Sequence, residues 1–265
     1  KHKAGKQDYN YGPDSQSFCQ VVKDIEYSAT IPDSFSWREI PGVLPKVRDQ
    51  ATCGSCWAMA AEEATSAQLS MKSDRNISLS VQQFIDCAWG GVNFACDGGE
   101  GWQAYERLFT NKINITSESE IPYLGVGGYC PTQVQDPIAR VTGCRQIWAD
   151  PADKKHQLIK KALLKYGPLM VSIRAGLDPF VQLKPGNSTY SNPAECDAFN
   201  WKEYNLVDHG VLLTGYKVQD GKSYLEIMNS WSTDWGESGF GYIDEEYDCG
   251  IVTMVLVPSV EFYSK

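Results

Sequence analysis

The sequence predicts an α+β fold built as two lobes, and three features of its 265 residues carry that prediction. The first half is patterned for helices, the second half for strands, and the composition changes between them near residues 135 to 150. The expected division is an N-terminal extension over 1–30, a mainly helical lobe over 31–140 and a β-rich lobe over 141–265. A chain of this length can bury a core without a metal, and no internal repeat or low-complexity tract interrupts it.

Residues 1–30 are polar and carry Tyr, Asp and Gly, which reads as an irregular extension whose only anchor is Cys19. From Cys56 to about Met71, Ala58, Met59, Ala61, Ala64, Thr65 and Leu69 fall on overlapping helical faces with few β-branched residues. A second short helix is expected within Asn76 to Asp86, capped by Ser80, and a third near Gln103 to Thr110 between the glycine clusters "CDGGEGW" and "GVGGYC". "KKHQLIKKALLKYG" forms one amphipathic helix ended by Gly167 and Pro168. Strand signals follow in "LMVSIRA", "HGVLLTGYKV", "SYLEIMNSW", "GFGYIDEE" and "IVTMVLV".

A net charge of -9 argues against nucleic acid or an anionic membrane as partner. No apolar run is long enough to span a bilayer, and the polar start "KHKAGKQDYNYG" reads as that of a processed chain. Nine cysteines favour an oxidising compartment, and three N-x-S/T sequons, at Asn76, Asn114 and Asn187, point the same way. Because the cysteine count is odd, four bridges would leave one thiol free.

"DQATCGSCWAMAAEEAT" sets Cys53 and Cys56 three apart at the start of a helix, a spacing open to a redox couple, half of a zinc site, a disulfide half, or a nucleophile beside a structural sulfur. "KVRDQAT" is a poor buried strand for a thioredoxin-like unit, and no second close-spaced pair or H-x-x-x-H helix supports zinc, so no metal and no cofactor is expected. A Cys56 sulfur opening a helix would lie where unpaired N–H groups favour an anion. Of three histidines, His2 sits in the loose start and His156 on the polar side of a helix, both read as solvated, while His209 opens an apolar strand and could accept the thiol proton. Asn229, in the next strand, could orient that ring, and Gln50 could bind an oxyanion with the Cys56 N–H, so that Gln50→Ala would slow turnover and hardly touch folding. A plain two-residue Asp220-Gly221 turn would put His209 and Asn229 on opposite faces; the chemistry therefore requires a three-residue loop or a bulge.

"QATCGSCWAMA", "CDGGEGW", "DHGVLLTGY" and "NSWSTDWGESGFGYI", in that order, resemble the papain-like cysteine proteases of the cathepsin type, and "IPDSFSWRE" is similar to the start of their mature chains. The resemblance spans roughly residues 31 to 258. It implies a helical lobe facing an antiparallel β-barrel-like lobe across an active-site cleft, with Cys56 as nucleophile, His209 as acid/base, Asn229 as orienter shielded by Trp231, and Gln50 as oxyanion donor. It further implies that Gly98 and Gly99 pair with substrate backbone and that Asp208, Gly210 and Met254 line a specificity pocket with Met254 as apolar floor, whereas Glu100 departs from a position that is often aromatic or apolar in the family and would set an acidic wall favouring basic or amine-bearing substrates. The implied bridges are Cys53–Cys96, Cys87–Cys130 and Cys196–Cys249, with Cys19 and Cys144 then paired by elimination. Departures from the family pattern are Ala51 and Thr52 for a small Gly/Ser pair, Ser232 for glycine, and a longer segment between Cys196 and His209 that could narrow the cleft. A monomeric, secreted or lysosome-like cysteine endopeptidase is implied, with protein or peptide substrates and a propeptide or cystatin-like inhibitor as partners; an exopeptidase or a catalytically weak binding protein is the alternative.

Overall fold

The computed structural model describes residues 18–148, 156–196 and 207–264; His2 and the segment 197–206 lie outside that set. Helix α1 (Cys56–Ser73) is the axis of the first lobe. Its alanines lose no side-chain entropy on folding and let neighbours approach from every side, so it is buried almost all round and ends at Asp74 in the left-handed region (φ 52°). Helix α2 (Val81–Cys87) starts later than Asn76, because Leu79 donates its backbone N–H to Glu62 and the chain turns helical only at Ser80, whose hydroxyl accepts from Gln83 N–H. Helix α3 (Gly101–Thr110) turns Ala104, Tyr105 and Leu108 into the same core.

Nine strands form one sheet among the described residues: β1 (Gln20–Val22), β2 (Phe35–Ser36), β3 (Ala139–Ile147), β4 (Leu169–Ile173), β5 (Thr189–Tyr190), β6 (His209–Gln219), β7 (Lys222–Met228), β8 (Phe240–Asp244) and β9 (Val255–Phe262). Their order is β1-β3-β9-β4-β6-β7-β8-β5, with β2 added to β6. Helices α4 (Gln157–Tyr166), α5 (Asp178–Val181) and α6 (Pro193–Cys196) complete the second half. Two hydrophobic clusters result, one around α1, α2 and α3 and one around β4, β6, β7 and α4.

Three sequence expectations need correction. The extension is neither wholly irregular nor held by Cys19 alone: β1 pairs in parallel with β3, Gln20 opposite Arg145, and Ile25 is buried in the β-lobe core. A strand of three residues is too short to show a period in sequence. In "IVTMVLV", Ile251–Thr253 is a 3₁₀ turn, and the strand begins at Val255 and runs to Phe262. Positive φ angles at Cys249 and Gly250 break the extended path there, and Thr253 Oγ1 donates to Gly250 C=O.

The third correction is His156, which is buried rather than solvated. Its Nε2 lies 2.5 Å from Asp248 Oδ2 and its Nδ1 3.4 Å from Glu245 Oε1, while Lys160 Nζ is 2.6 Å from the same Glu245 oxygen. Burial opposes its charge, but the two carboxylates prevail and raise the imidazolium pKa from 6.5 to about 9. Such a group adds stability that is complete below the unfolded value and is lost as pH rises through the folded one. Glu63, buried in α1, has the same sign: burial lifts its carboxyl from 4.5 to about 8 against the pull of Arg48. The denaturant midpoint should therefore fall as pH rises from about 5 to about 9, and Glu63→Gln should flatten the lower part of that fall. Urea titrations across that range check it, and a midpoint that rises toward alkaline pH contradicts it.

Candidate active site

Cys56 is the first residue of α1 and the one unbridged cysteine among the described residues. The other eight pair as Cys19–Cys144, Cys53–Cys96, Cys87–Cys130 and Cys196–Cys249. The Cys53–Cys96 bridge and the Gly54 N–H to Cys96 C=O bond (2.9 Å) hold the loop before Cys56 against the loop that carries Gly98 and Gly99. The Cys56 sulfur accepts hydrogen bonds from the backbone N–H groups of Gly210 and Trp57. Burial nevertheless pushes its thiol up to about 11, with Asp208 and Glu100 adding to the effect. The helix N-terminus alone therefore does not ionise this thiol, contrary to the simplest sequence argument, because desolvation outweighs two amide donors.

His209 opens β6, and its Nε2 lies 2.7 Å from Asn229 Oδ1. The same Oδ1 accepts from Ser230 N–H at 2.8 Å, and a backbone N–H can only donate, so this atom is the amide oxygen. His209 Nε2 must then carry the proton, which leaves Nδ1 of a neutral ring as the acceptor. The Trp231 ring stacks on the imidazole with centroids 4.6 Å apart and is braced by Phe180 and Trp235. Asn229 is fully buried.

The predicted irregularity between the two strands is a bulge. Asp220 and Gly221 make a two-residue turn with φ of 51° and 75°, and Gln219 pairs with Lys222. Further along, Leu213 faces Ile227 while Gly215 faces Glu226, which leaves Thr214 unpaired on β6. That extra residue restores His209 and Asn229 to one face. Thr214 Oγ1 donates to Glu226 Oε1 at 2.7 Å, so the bulged residue is held by a side-chain bond.

Gln50 comes from the first lobe along a seam where Gln50 N–H donates to Ser230 C=O (2.9 Å), Ser232 N–H donates to Arg48 C=O (3.0 Å), and Asp49 bridges Trp231. Its Oε1 accepts from Ser230 Oγ (2.7 Å) and its Nε2 donates to Cys53 C=O (3.0 Å), which leaves the second amide hydrogen for a ligand. At this seam Ala51 and Ser232 both lie in the left-handed region (φ 52° and 66°), at a cost of about 1–2 kcal/mol each.

A cleft of about 620 Å³ brings together Gln50, Cys56, Gly98, Gly99, Glu100, Asp208, His209, Gly210 and Trp231. Asp208 accepts from the N–H groups of Ala175 (2.7 Å) and Gly176 (3.0 Å), which fixes the chain just before His209. Met254 is not among the residues that line the cleft: its sulfur lies 3.6 Å from Ser172 Oγ, and Ser172 and Met170 face the cavity in its place. Sequence reasoning also missed Ser230, Phe180 and Tyr123, whose hydroxyl donates to Gln50 C=O at 2.9 Å; no local pattern marks them, because their roles come from long-range packing. Of the sequons, Asn76 and Asn187 are exposed, whereas Asn114 is half-buried and Thr116 is fully buried.

The chain is 35% identical over 234 residues to cathepsin L of Sarcophaga peregrina, covering 87% of this chain and 65% of that one. It is 33% identical over 236 residues to human cathepsin L2, covering 87% and 66%, and 32% identical over 251 residues to mouse cathepsin K, covering 94% and 71%. It thus spans about two thirds of the length of these curated relatives. Among solved structures, digestive procathepsin L 3 of the Tenebrio molitor larval midgut superposes with a TM-score of 0.77 at 28% identity, over 97% of this chain and 75% of that one. Procathepsin L2 from the same source gives 0.78 at 29% identity, over 91% and 74%. The profile of the papain family cysteine proteases matches residues 31–259, and the chain belongs to that family.

Proposed function

We propose that the chain is a cysteine endopeptidase that hydrolyses peptide bonds through an acyl-enzyme. The observation that carries this reading is the 2.7 Å contact of His209 Nε2 with Asn229 Oδ1: with Nε2–H committed to Asn229, the ring offers Nδ1 as a base in the cleft that holds the one unbridged cysteine among the described residues. Since burial holds the Cys56 thiol up, its proton leaves only when the neighbouring ring takes it and the two charges form together as a pair. The thiolate attacks the scissile carbonyl carbon, forming C–S and moving the carbonyl pair onto oxygen, where Gln50 Nε2–H and the Cys56 N–H are the donors. The pair collapses back, C–N breaks, and the His209 imidazolium gives its proton to the leaving amine. Water then attacks the thioester, His209 takes its proton, and the acid leaves as C–S breaks.

An extended substrate running past Gly98 and Gly99 suits peptides bound by their backbone, and four disulfides suit a secreted or lysosome-like setting. Hydrolysis of peptide pairs with free and blocked N-termini tests the endopeptidase reading; strict dependence on a free N-terminus would replace it with an exopeptidase.

Gln50→Ala should lower kcat by roughly 10²–10³, or about 2.7–4 kcal/mol of transition-state stabilisation. It should also cost stability, about 1–3 kcal/mol, since its amide ties Cys53 C=O and Ser230 Oγ in the buried seam. That second effect differs from the expectation, drawn from sequence, that folding would hardly change. Single-turnover kinetics and urea unfolding of the variant measure the two losses separately.

A further inference from the structure

We propose that the Tyr123 hydroxyl is a positioning group for the oxyanion site, fixing its two donors against each other by bonding to the backbone of Gln50 and to Ser55, the residue before Cys56. This rests on the protease reading of the same cleft. Tyr123 Oη donates to Gln50 C=O at 2.9 Å and lies 2.8 Å from Ser55 Oγ. A carbonyl can only accept, so the single phenol hydrogen is committed to Gln50 and the Ser55 hydroxyl donates to the phenol oxygen. Ser55 is fully buried at the N-cap of α1, yet its side chain does not cap the helix. An N-cap serine ordinarily accepts from the N–H of the second or third helical residue, so the turn of this hydroxyl toward Tyr123 goes against the local preference.

The two donors sit on segments with different attachments. Gln50 is tied to Ser230 of the second lobe by its N–H (2.9 Å) and by its Oε1 (2.7 Å), whereas Cys56 belongs to α1. Their direct link runs through Cys53, whose C=O accepts from Gln50 Nε2 (3.0 Å) and from Ser55 N–H (2.8 Å) and whose N–H donates to Gln50 C=O (3.2 Å). A link through one residue can still pivot. The Tyr123 oxygen supplies a second, which fixes the angle between the donors as well as their separation. Tyr123 is itself held from behind: Ser80 Oγ donates to Ile121 C=O (2.7 Å), Leu124 N–H donates to Gln82 Oε1 (2.9 Å), and the ring packs on the first hydrophobic cluster. Tyr123 is not among the residues that line the cleft, so it acts on the oxyanion through Gln50 and Ser55. Donors displaced by about 1 Å lose much of their hold on a developing charge.

The test compares single-turnover acylation by a fluorogenic peptide amide with alkylation of Cys56 by iodoacetamide. It is run on the parent, Tyr123→Phe, Ser55→Ala and the double variant, each first shown to fold by its melting curve. Acylation passes through an oxyanion; displacement of iodide by the same sulfur does not. In Tyr123→Phe the saturating acylation rate should fall about tenfold or more, with the half-saturating peptide concentration and the alkylation rate both within about twofold of the parent. Ser55→Ala should show the same pattern, and the double variant should be no slower than the slower single one, because both substitutions remove one link. If Tyr123→Phe does not fold, Ser55→Ala carries the test on the same two rates. Parent-like acylation in the folded variants, equal loss of acylation and alkylation, or losses that multiply in the double variant overturn the assignment. A parent that is acylated by no peptide overturns the protease reading and this assignment with it, whereas an active parent with an unmoved Tyr123→Phe removes this assignment alone.

Discussion

Replacing Cys56 by alanine should lower kcat/KM for peptide hydrolysis by on the order of 10⁴-fold or more, because every bond made to the acyl group passes through that sulfur. Stability should change by less than about 0.5 kcal/mol, since Cys56 is unbridged and the substitution removes only its sulfur atom. The parent should be inactivated by iodoacetamide at one site, with peptide mapping placing the label on residue 56. Its rate of labelling should exceed that of a simple thiol near pH 6, even though burial, with Asp208 and Glu100 adding to it, holds the Cys56 thiol up at about 11. That contrast isolates the contribution of His209: in His209→Ala the labelling rate should drop to that of an unassisted buried thiol, while the thiol itself is still there. Labelling at an unchanged rate in His209→Ala would remove the ion-pair mechanism.

Arg48→Ala should destabilise the fold by about 3–5 kcal/mol, the largest stability effect expected from one substitution outside the hydrophobic clusters. Arg48 is buried with Nη1 2.7 Å from Glu62 and 3.9 Å from Glu63, and Nη2 3.1 Å from Glu118 and 3.0 Å from Ser78 Oγ. One guanidinium thus serves three carboxylates, two of them fully enclosed in α1. Removing it leaves those carboxylates without a cation in a place where water does not reach, and they must take up protons or unfold the helix around them. The loss should be larger at pH 8 than at pH 5, since protonation of Glu62 and Glu63 relieves it; urea midpoints at the two pH values measure the difference. Because the Arg48 C=O accepts from Ser232 N–H next to Gln50, the substitution should also loosen the oxyanion side of the cleft.

Some of this was legible in sequence and some was not, for separable reasons. Helix α1 announced itself through its alanines, and the hairpin β6–β7 through two apolar runs on either side of an Asp-Gly pair. The need for an irregularity between His209 and Asn229 followed from parity alone, although parity could not say whether a loop or a bulge supplied it; the answer is Thr214. Strand β3 stayed hidden because its burial alternates only in part and its partner β9 lies more than a hundred residues away. His156 was misread because Asp248 and Glu245 approach it from the far end of the chain, and no helical wheel shows what a distant turn will bring.

The bulge at Thr214 divides its hairpin into two parts with different freedoms. Toward the cleft, from Thr214 to His209 and from Glu226 to Asn229, a single inserted or deleted residue would swap inside for outside and part the imidazole from its amide. Toward the tip, beyond Gly215 and Glu226, the strands reach an exposed Asp220-Gly221 turn that touches neither partner. The tip is thus a graft point, where foreign sequence can be spliced in with the cleft left to keep its own register.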